Sequence, residues 1–417
     1  MTQRVVVTGI GAVSPVGNDA VATWGALTQG TSGIGPITRF DASGDKTRIA
    51  GEVHGFDPAD YLDRKRQRRS ARFSQFAVAA AREAARDAGL AGAPGTGLDG
   101  ADPARAGVVV NTAVTGFPEI QEAVETLHGR GAQRVSPYFV SSVIPNMPAC
   151  EVAIDLGLHG PVTAGSLACA SGVYALVEAR RLIVAGEADV VIAGGTDAGI
   201  SPVMFAGLTN MGALSRRNDE PERASRPFDA DRDGFVFGEG AALLVLESAE
   251  HAHARGAAPY AELAGGALTS DAFHVSAPEP SGEYAAAAIR HALDRTGTTP
   301  ADIDYVCAHG TSTKINDVTE TRAIRDALGP RADNVAVSSP KSMVGHMIGA
   351  AGSLSAMVCA LAVRDGLVPP TINLDTPDPE CDLDYVPNKS RPMRVRAALV
   401  NAFGFGGQNC VAVLREP

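Results

Sequence analysis

The chain has 417 residues, 45% of them hydrophobic and 20% charged, and carries a net charge of −11 at pH 7. That acidic balance argues against general affinity for nucleic acid or anionic membrane, and no run approaches the roughly 20 apolar residues that span a bilayer. The cysteines (positions 150, 169, 307, 359, 381 and 410) form neither a C-x-x-C pair nor a zinc spacing. Reduced thiols in a cytoplasmic protein are therefore expected. The apolar run after Arg4 is too short and too glycine-broken for a secretory signal.

In chain order, RVVVTGI (4–10), AGVVVNT (106–112), PVTAGSL (161–167), ADVVIAGG (188–195) and GAALLVLES (240–248) are expected as buried strands. FSQFAVAAAREAARDAGL (73–90) and ASGVYALVEARRLIVAG (170–186) are expected as helices, the second closed by Gly186. The second half repeats the style, with strands at 304–310, 334–339 and 398–403 and helices at 318–329 and 349–366. Alternation of this kind predicts an α/β fold with helix-covered sheets. PVTAGSLACASGVYALVEARRLI and NVAVSSPKSMVGHMIGAAGSLSAMVCALAV both run strand, small-residue loop, polar residue, long helix. The echo predicts two duplicated halves, 1–255 and 256–417, dividing near 255–262.

One stretch departs from the acidic background. RKRQRRSAR (64–72) holds Arg64, Lys65, Arg66, Arg68, Arg69 and Arg72. A solvated helix start is the ordinary reading of such a run, and a dock for an acidic partner is the alternative.

The chemistry gathers in four places. GSLACASGVY (165–174) sets Cys169 between small residues at the expected first turn of a helix. There it is either a small core residue or a nucleophile beside a helix N-terminus. AHGTSTKIND (308–317) puts His309 directly after a strand, followed by Thr311 and Thr313. SSPKSMVGHMIGAAG (338–352) spaces Lys341 and His346 five apart, and NAFGFGGQN (401–409) sets Phe403 and Phe405 among glycines. Each is weak alone, since a lone histidine after a strand is more often structural. Neither GIGAVSPVG nor the GFGG loop completes a dinucleotide or phosphate fingerprint, so no nicotinamide cofactor is expected. Asp231, Asp233 and Glu239 do not match an EF-hand loop, and no metal is expected.

As a set they make chemical sense. Cys169 would attack a thioester, with backbone N–H groups of Cys169 and the glycine loop receiving the developing charge. His309 and His346 would hydrogen-bond an enolate oxygen formed by loss of CO2, Lys341 would fix or polarise one histidine, and the threonines would bind amides of a long polar arm.

ACASG, AHGTST, KSMVGH and NAFGFGGQN, together with ASRPFDADRDGFVFGEGA (224–241) and PPTINLDTPDPECDLDYVP (369–387), closely resemble the elongating β-ketoacyl-acyl carrier protein synthases. The resemblance runs nearly the length of the chain. It implies a thiolase-like αβαβα sandwich of two duplicated halves and a dimer. It implies acyl transfer to Cys169 and decarboxylative condensation with malonyl-carrier protein supported by His309, His346 and Lys341. Substrates would ride on the phosphopantetheine of acyl carrier protein, with no other cofactor. By the same resemblance Thr311, Thr313 and Ser276 (in TSDAFHVSAP) contact the pantetheine side, Phe405 gates, and Phe403 lines the site. Val114 replaces an isoleucine at the acyl-pocket floor, Tyr138 and Phe139 reach across a dimer, and Arg64–Arg72 docks the carrier protein.

Two histidines set the chain apart from initiating synthases, which carry His and Asn. A retained cysteine sets it apart from chain-length-factor subunits, and the context of Cys410 sets it apart from thiolases. TKINDVTET and TPDPECDLDYVP resemble type II polyketide ketosynthases, including those that make polyene or highly reduced chains. TSDAFHVSAP and FGFGGQN resemble fatty-acid elongases, which remain the alternative. A noncatalytic chain-length-shaping subunit is the third reading, and the partner chain is expected to be either identical or a chain-length-factor-like subunit.

Overall fold

The computed structural model describes residues 3–417. The first half contains β1 (Val5–Val13), α1 (Arg72–Asp87), β2 (Ala106–Asn111), α2 (Met147–Leu156), β3 (Val162–Thr163), α3 (Ser171–Val184), β4 (Val190–Asp197) and β5 (Gly240–Ser248). The second contains β6 (Ala261–Ser270), α4 (Glu283–Thr296), β7 (Tyr305–Cys307), α5 (Lys314–Leu328), β8 (Ala336–Ser338), α6 (Ala351–Asp365), β9 (Ala397–Gly404) and β10 (Gln408–Arg415).

The halves repeat each other strand for strand. The first sheet runs β3-β2-β4-β5-β1, and the second runs β8-β7-β9-β10-β6. In each, the first three strands are parallel and the last two antiparallel to their neighbours. The two sheets join edge to edge where Val6 and Val7 of β1 pair with Glu262 and Ala261 of β6.

Side-chain alternation explains the layering. Leu244 and Leu246 of β5 face one cluster while Leu243 and Val245 face another, so both faces of the sheet are covered. Leu176 and Ile183 of α3, with Leu354, Met357 and Val358 of α6, fill the space between the sheets. Phe73, Phe76 and Ala80 of α1 and Val152 of α2 cover the first sheet from outside. Ile289 and Leu293 of α4 and Ile324 of α5 cover the second. The result is helix, sheet, helix, sheet, helix, the sandwich that the resemblance implies. The helical stretch Ile348–Asp365, apolar enough to cross a membrane, is 83% buried in this central layer.

Several local expectations need correction. The strand expected at 161–167 shrinks to Val162–Thr163, because Gly165 N–H donates to Asn111 Oδ1 and Leu167 N–H to Ser171 Oγ, bending the chain into the next loop. The strand at 304–310 ends at Cys307: the Ala308 N–H still reaches Ser338 O, but the N–H groups of His309, Gly310 and Thr311 bond to side chains rather than to a neighbouring strand. The helix expected at 318–329 begins four residues earlier, at Lys314. Within the segment 255–262, expected as a break, residues 255–260 form a loop between the helix Ala249–Ala254 and β6. Gly186 lies just beyond the last residues of α3 with φ of 74°, as its capping role requires.

Candidate active site

Cys169 is not in the first turn of α3 but two residues before it. Ser171 Oγ donates to Ala168 O (2.7 Å) and Ala168 has φ of 46°, so a strained turn presents the cysteine just ahead of the helix. The start of α3 abuts the start of α6 because Gly172 has no side chain: a Cβ there would lie 2.6 Å from Ser353 N. That contact brings the Cys169 loop of one half against the His346 loop of the other.

His309 follows β7. Buried Glu320 holds its loop by accepting from His309 N–H (2.8 Å), Gly310 N–H (2.7 Å) and Asn401 Nδ2 (3.0 Å). Asp317, also buried, accepts from Thr311 N–H (3.1 Å) and Phe228 N–H (2.9 Å) and lies 3.4 Å from Arg232. The hydrogen bonds of these two acids brace the His309 and threonine loop.

His346 precedes a residue at positive φ, Ile348 (48°), whose N–H donates to His346 Nδ1 (3.2 Å). With Nδ1 accepting, the ring proton sits on Nε2, which is buried and has no partner among the described residues. The His309 and His346 ring centroids are 5.4 Å apart, and the Cys169 sulfur and one nitrogen of each ring all lie within 4.8 Å of one another.

Burial sets the protonation states. It pushes both histidines well below the usual imidazole range, and the nearby Lys341 charge lowers them further, so both are neutral at pH 7. Burial also lowers Lys341, which bears on the rings through its charge, the polarising rather than the fixing role of the two expected from the sequence. Cys169 is pushed up to about 11 by burial, against the pull of the Phe405 N–H, Lys341 and its own N–H. Desolvation outweighs the thiolate stabilisation expected from the helix start. The resting group is a thiol with two backbone N–H donors at its sulfur.

One cysteine and two histidines are also a plausible zinc set. Ligation through His346 Nε2 would need the proton on Nδ1, where the Ile348 N–H already points, whereas metal-bound histidines ordinarily donate from that nitrogen to an acceptor. The donor set fits a hydrogen-bonding histidine better than a ligand.

Cys169, His309 and His346 line a cavity of about 620 Å³. Val114, Met204, Leu208, Phe235 and Phe237 supply apolar wall, while Ser276, Thr311, Thr313 and Asn316 supply polar wall. Phe403 and Phe405 also line it, Phe403 with its ring 5.8 Å from that of His309. Tyr138 and Phe139 do not line it; Tyr138 is 39% exposed, under the guanidinium of Arg69.

The basic stretch divides. Arg64, Lys65 and Arg68 are exposed, but Arg66 turns inward to buried Asp155 and Arg72 to buried Glu239 at 3.0 Å. Six free cations are therefore not available to a partner. Asp231, Asp233 and Glu239 do not form a group either, Glu239 being buried and Asp233 exposed.

Sequence reasoning missed Asp197 at the end of β4. Its carboxylate accepts from Thr112 Oγ1 and from the N–H groups of Ala113, Val114 (both 3.0 Å) and Gly349 (2.7 Å), tying the pocket wall to the His346 loop. An acidic residue closing an otherwise apolar strand, VVIAGGTD, was the available signal.

Comparison with known proteins agrees with this geometry. Residues 2–252 match the β-ketoacyl synthase N-terminal domain and residues 260–375 its C-terminal domain. The chain belongs to the β-ketoacyl synthase family, and it is a ketosynthase, an enzyme of the acyltransferase class. It is 48% identical over 414 residues to a 3-oxoacyl-[acyl-carrier-protein] synthase 2 from Synechocystis and 45% identical over 412 residues to one from Coxiella burnetii, covering 99% of this chain and 98% of each relative. Among solved structures it is similar to the ishigamide ketosynthase/chain length factor (TM-score 0.93, 37% identity) and to a type II polyketide ketosynthase, AntDE, bound to its carrier protein AntF (TM-score 0.91, 34% identity), each covered in full, as is this chain.

Proposed function

We propose that the protein extends acyl chains by decarboxylative Claisen condensation with malonyl-acyl carrier protein. The observation that carries this reading is the convergence of a thiol and two neutral imidazoles at one apolar cavity. Cys169 Sγ attacks the acyl thioester, its proton leaves with the pantetheine thiol, and the Cys169 and Phe405 N–H groups receive the oxyanion. The malonyl group then loses CO2. Its thioester oxygen becomes an enolate, held by the His346 Nε2–H and by His309, and the carbanion carbon attacks the acyl-Cys169 carbonyl. The adduct collapses with cleavage of the C–S bond, the Cys169 thiolate leaves and takes up a proton from solvent, and the β-ketoacyl group departs on the carrier protein. Neutral histidines suit this step, since a neutral ring N–H donates a hydrogen bond to the developing enolate oxygen without transferring its proton to it. Thr311, Thr313 and Ser276 take the amides of the pantetheine arm, Phe403 and Phe405 border it, and Val114 bounds the acyl end. Arg64, Lys65 and Arg68 supply the cationic dock for an acidic carrier protein.

The relatives named synthase 2 favour fatty-acid elongation. Type II polyketide elongation is the second reading, favoured by full-length likeness to polyketide ketosynthases and by Val114 at the pocket wall. A partner chain, a second copy or a chain-length-factor-like subunit, fits the exposed apolar residues Val124, Leu127, Val140, Ile154 and Val162 beside edge strand β3.

The test is purified protein with acyl- and malonyl-carrier protein. One CO2 released per product two carbons longer supports condensation, with Cys169→Ala inactive. Product from the Cys169→Ala variant would refute it. Repeated extension without reduction of the β-keto group, seen only with a co-expressed partner, selects the polyketide reading.

A further inference from the structure

One buried ion-pair cluster has no part in the mechanism above. Glu239 is 1% exposed and ends the extended stretch 235–239. Its Oε1 accepts from Arg39 Nη2 (3.1 Å), Arg72 Nη2 (3.0 Å) and the Val53 N–H (3.1 Å). The stretch is the middle of a small parallel ribbon. On one edge Gly51 N–H donates to Phe237 O (2.8 Å) and Glu239 N–H to Gly51 O (3.1 Å). On the other edge His346 N–H donates to Val236 O (2.7 Å) and Gly238 N–H to His346 O (2.8 Å). There is no slack in the fit, since a Cβ on Gly238 would lie 2.6 Å from Val344 O.

Both backbone polar groups of His346 thus hang on a stretch that Glu239 ties to Arg39, Arg72 and Val53 just before it runs into β5 at Gly240. We infer that Glu239, through Arg39 and Arg72, is a positioning residue for His346, and that Arg72 belongs to this cluster rather than to a carrier-protein dock. The inference rests on the reading of His346 as donor to the enolate. Placement matters because a donor displaced by a fraction of an ångström loses most of its hold on a developing charge. Removing the carboxylate leaves two guanidinium groups without their shared partner.

The experiment uses the full-length chain and separates the two half-reactions. Glu239→Gln keeps the side-chain volume and removes the charge. The expected result is a fall in kcat of condensation of about 10- to 100-fold, with KM for malonyl-carrier protein and the rate of Cys169 acylation within about threefold of wild type. Arg72→Gln should behave the same way, and Arg72→Lys, which keeps a cation, should recover part of kcat. Arg68→Gln should instead raise KM for the carrier protein. Parallel loss of both half-reactions in Glu239→Gln, unchanged condensation, or no recovery in Arg72→Lys would overturn the inference. Wild-type protein that never acylates at Cys169 marks failure of the parent reading and removes this one with it.

Discussion

At the scale of single residues, burial governs the chemistry more than sequence position does. Cys169 lies ahead of a helix, yet desolvation holds its thiol near 11. The sign follows: with the folded value above the ordinary 9.0, the neutral thiol is favoured in the fold, and that contribution to stability is lost only as pH rises through about 11. Alkylation of Cys169 by iodoacetamide in the free enzyme should therefore climb about tenfold per pH unit from 7 to 10 without levelling. A plateau near pH 8 would show a thiolate already present. Glu119 gives a second case. Burial raises it to about 7 and one oxygen has no partner, while the other accepts from the Arg72 N–H. A carboxyl raised in the fold favours folding below its unfolded pKa of 4.5, and that contribution is lost as pH rises through 7. Glu119→Gln should accordingly stabilise the protein by about 1–3 kcal/mol at pH 8 and by little at pH 4 to 5, measured by denaturant unfolding.

At the scale of elements, the basic stretch shows where sequence and structure part. A run of cations does not state which of them point outward. Arg66 and Arg72 are spent on Asp155 and Glu239, whereas Arg64, Lys65 and Arg68 stay in solvent. Replacing the exposed three with alanine should raise KM for the carrier protein about tenfold or more at low salt, with kcat little changed and the effect shrinking as salt increases. Equal losses in kcat would remove the docking role. Cys169, His309, Lys341 and His346 were legible beforehand because each sits in a small-residue stretch that breaks the strand–helix alternation with a polar side chain. Asp197 and the bracing duties of Glu320 and Asp317 were not visible. Asp197 and Asp317 bind backbone N–H groups of the opposite half, those of Gly349 and Phe228, a relation that exists only once the two halves meet, whereas Glu320 reaches back to the His309 and Gly310 N–H groups of its own half. The short strands β3 and β7 were overextended for a related reason: past their ladders the N–H groups of Gly165, Leu167, His309 and Gly310 bond to side chains rather than to a neighbouring strand, which an apolar pattern does not reveal.

At the scale of the whole molecule, duplication makes the site. Each half sends one buried helix into the central layer, and the residues just ahead of α3 and α6 supply the thiol and a histidine on either side of the Gly172 contact. The same architecture leaves edge strand β3 unpaired beside exposed Val140 (66%) and Ile154 (69%). Light scattering should return a mass of two chains for the purified protein, or the protein should need a co-expressed partner to stay soluble. A stable, soluble monomer would contradict that expectation. The most direct measurement of the central claim is the intact mass of the protein after incubation with a medium-chain acyl-carrier protein, with Cys169→Ala alongside. The expected result is a gain of one acyl group, absent in Cys169→Ala and discharged on addition of malonyl-carrier protein. Folded protein that gains no acyl group, or gains it equally without Cys169, would contradict it.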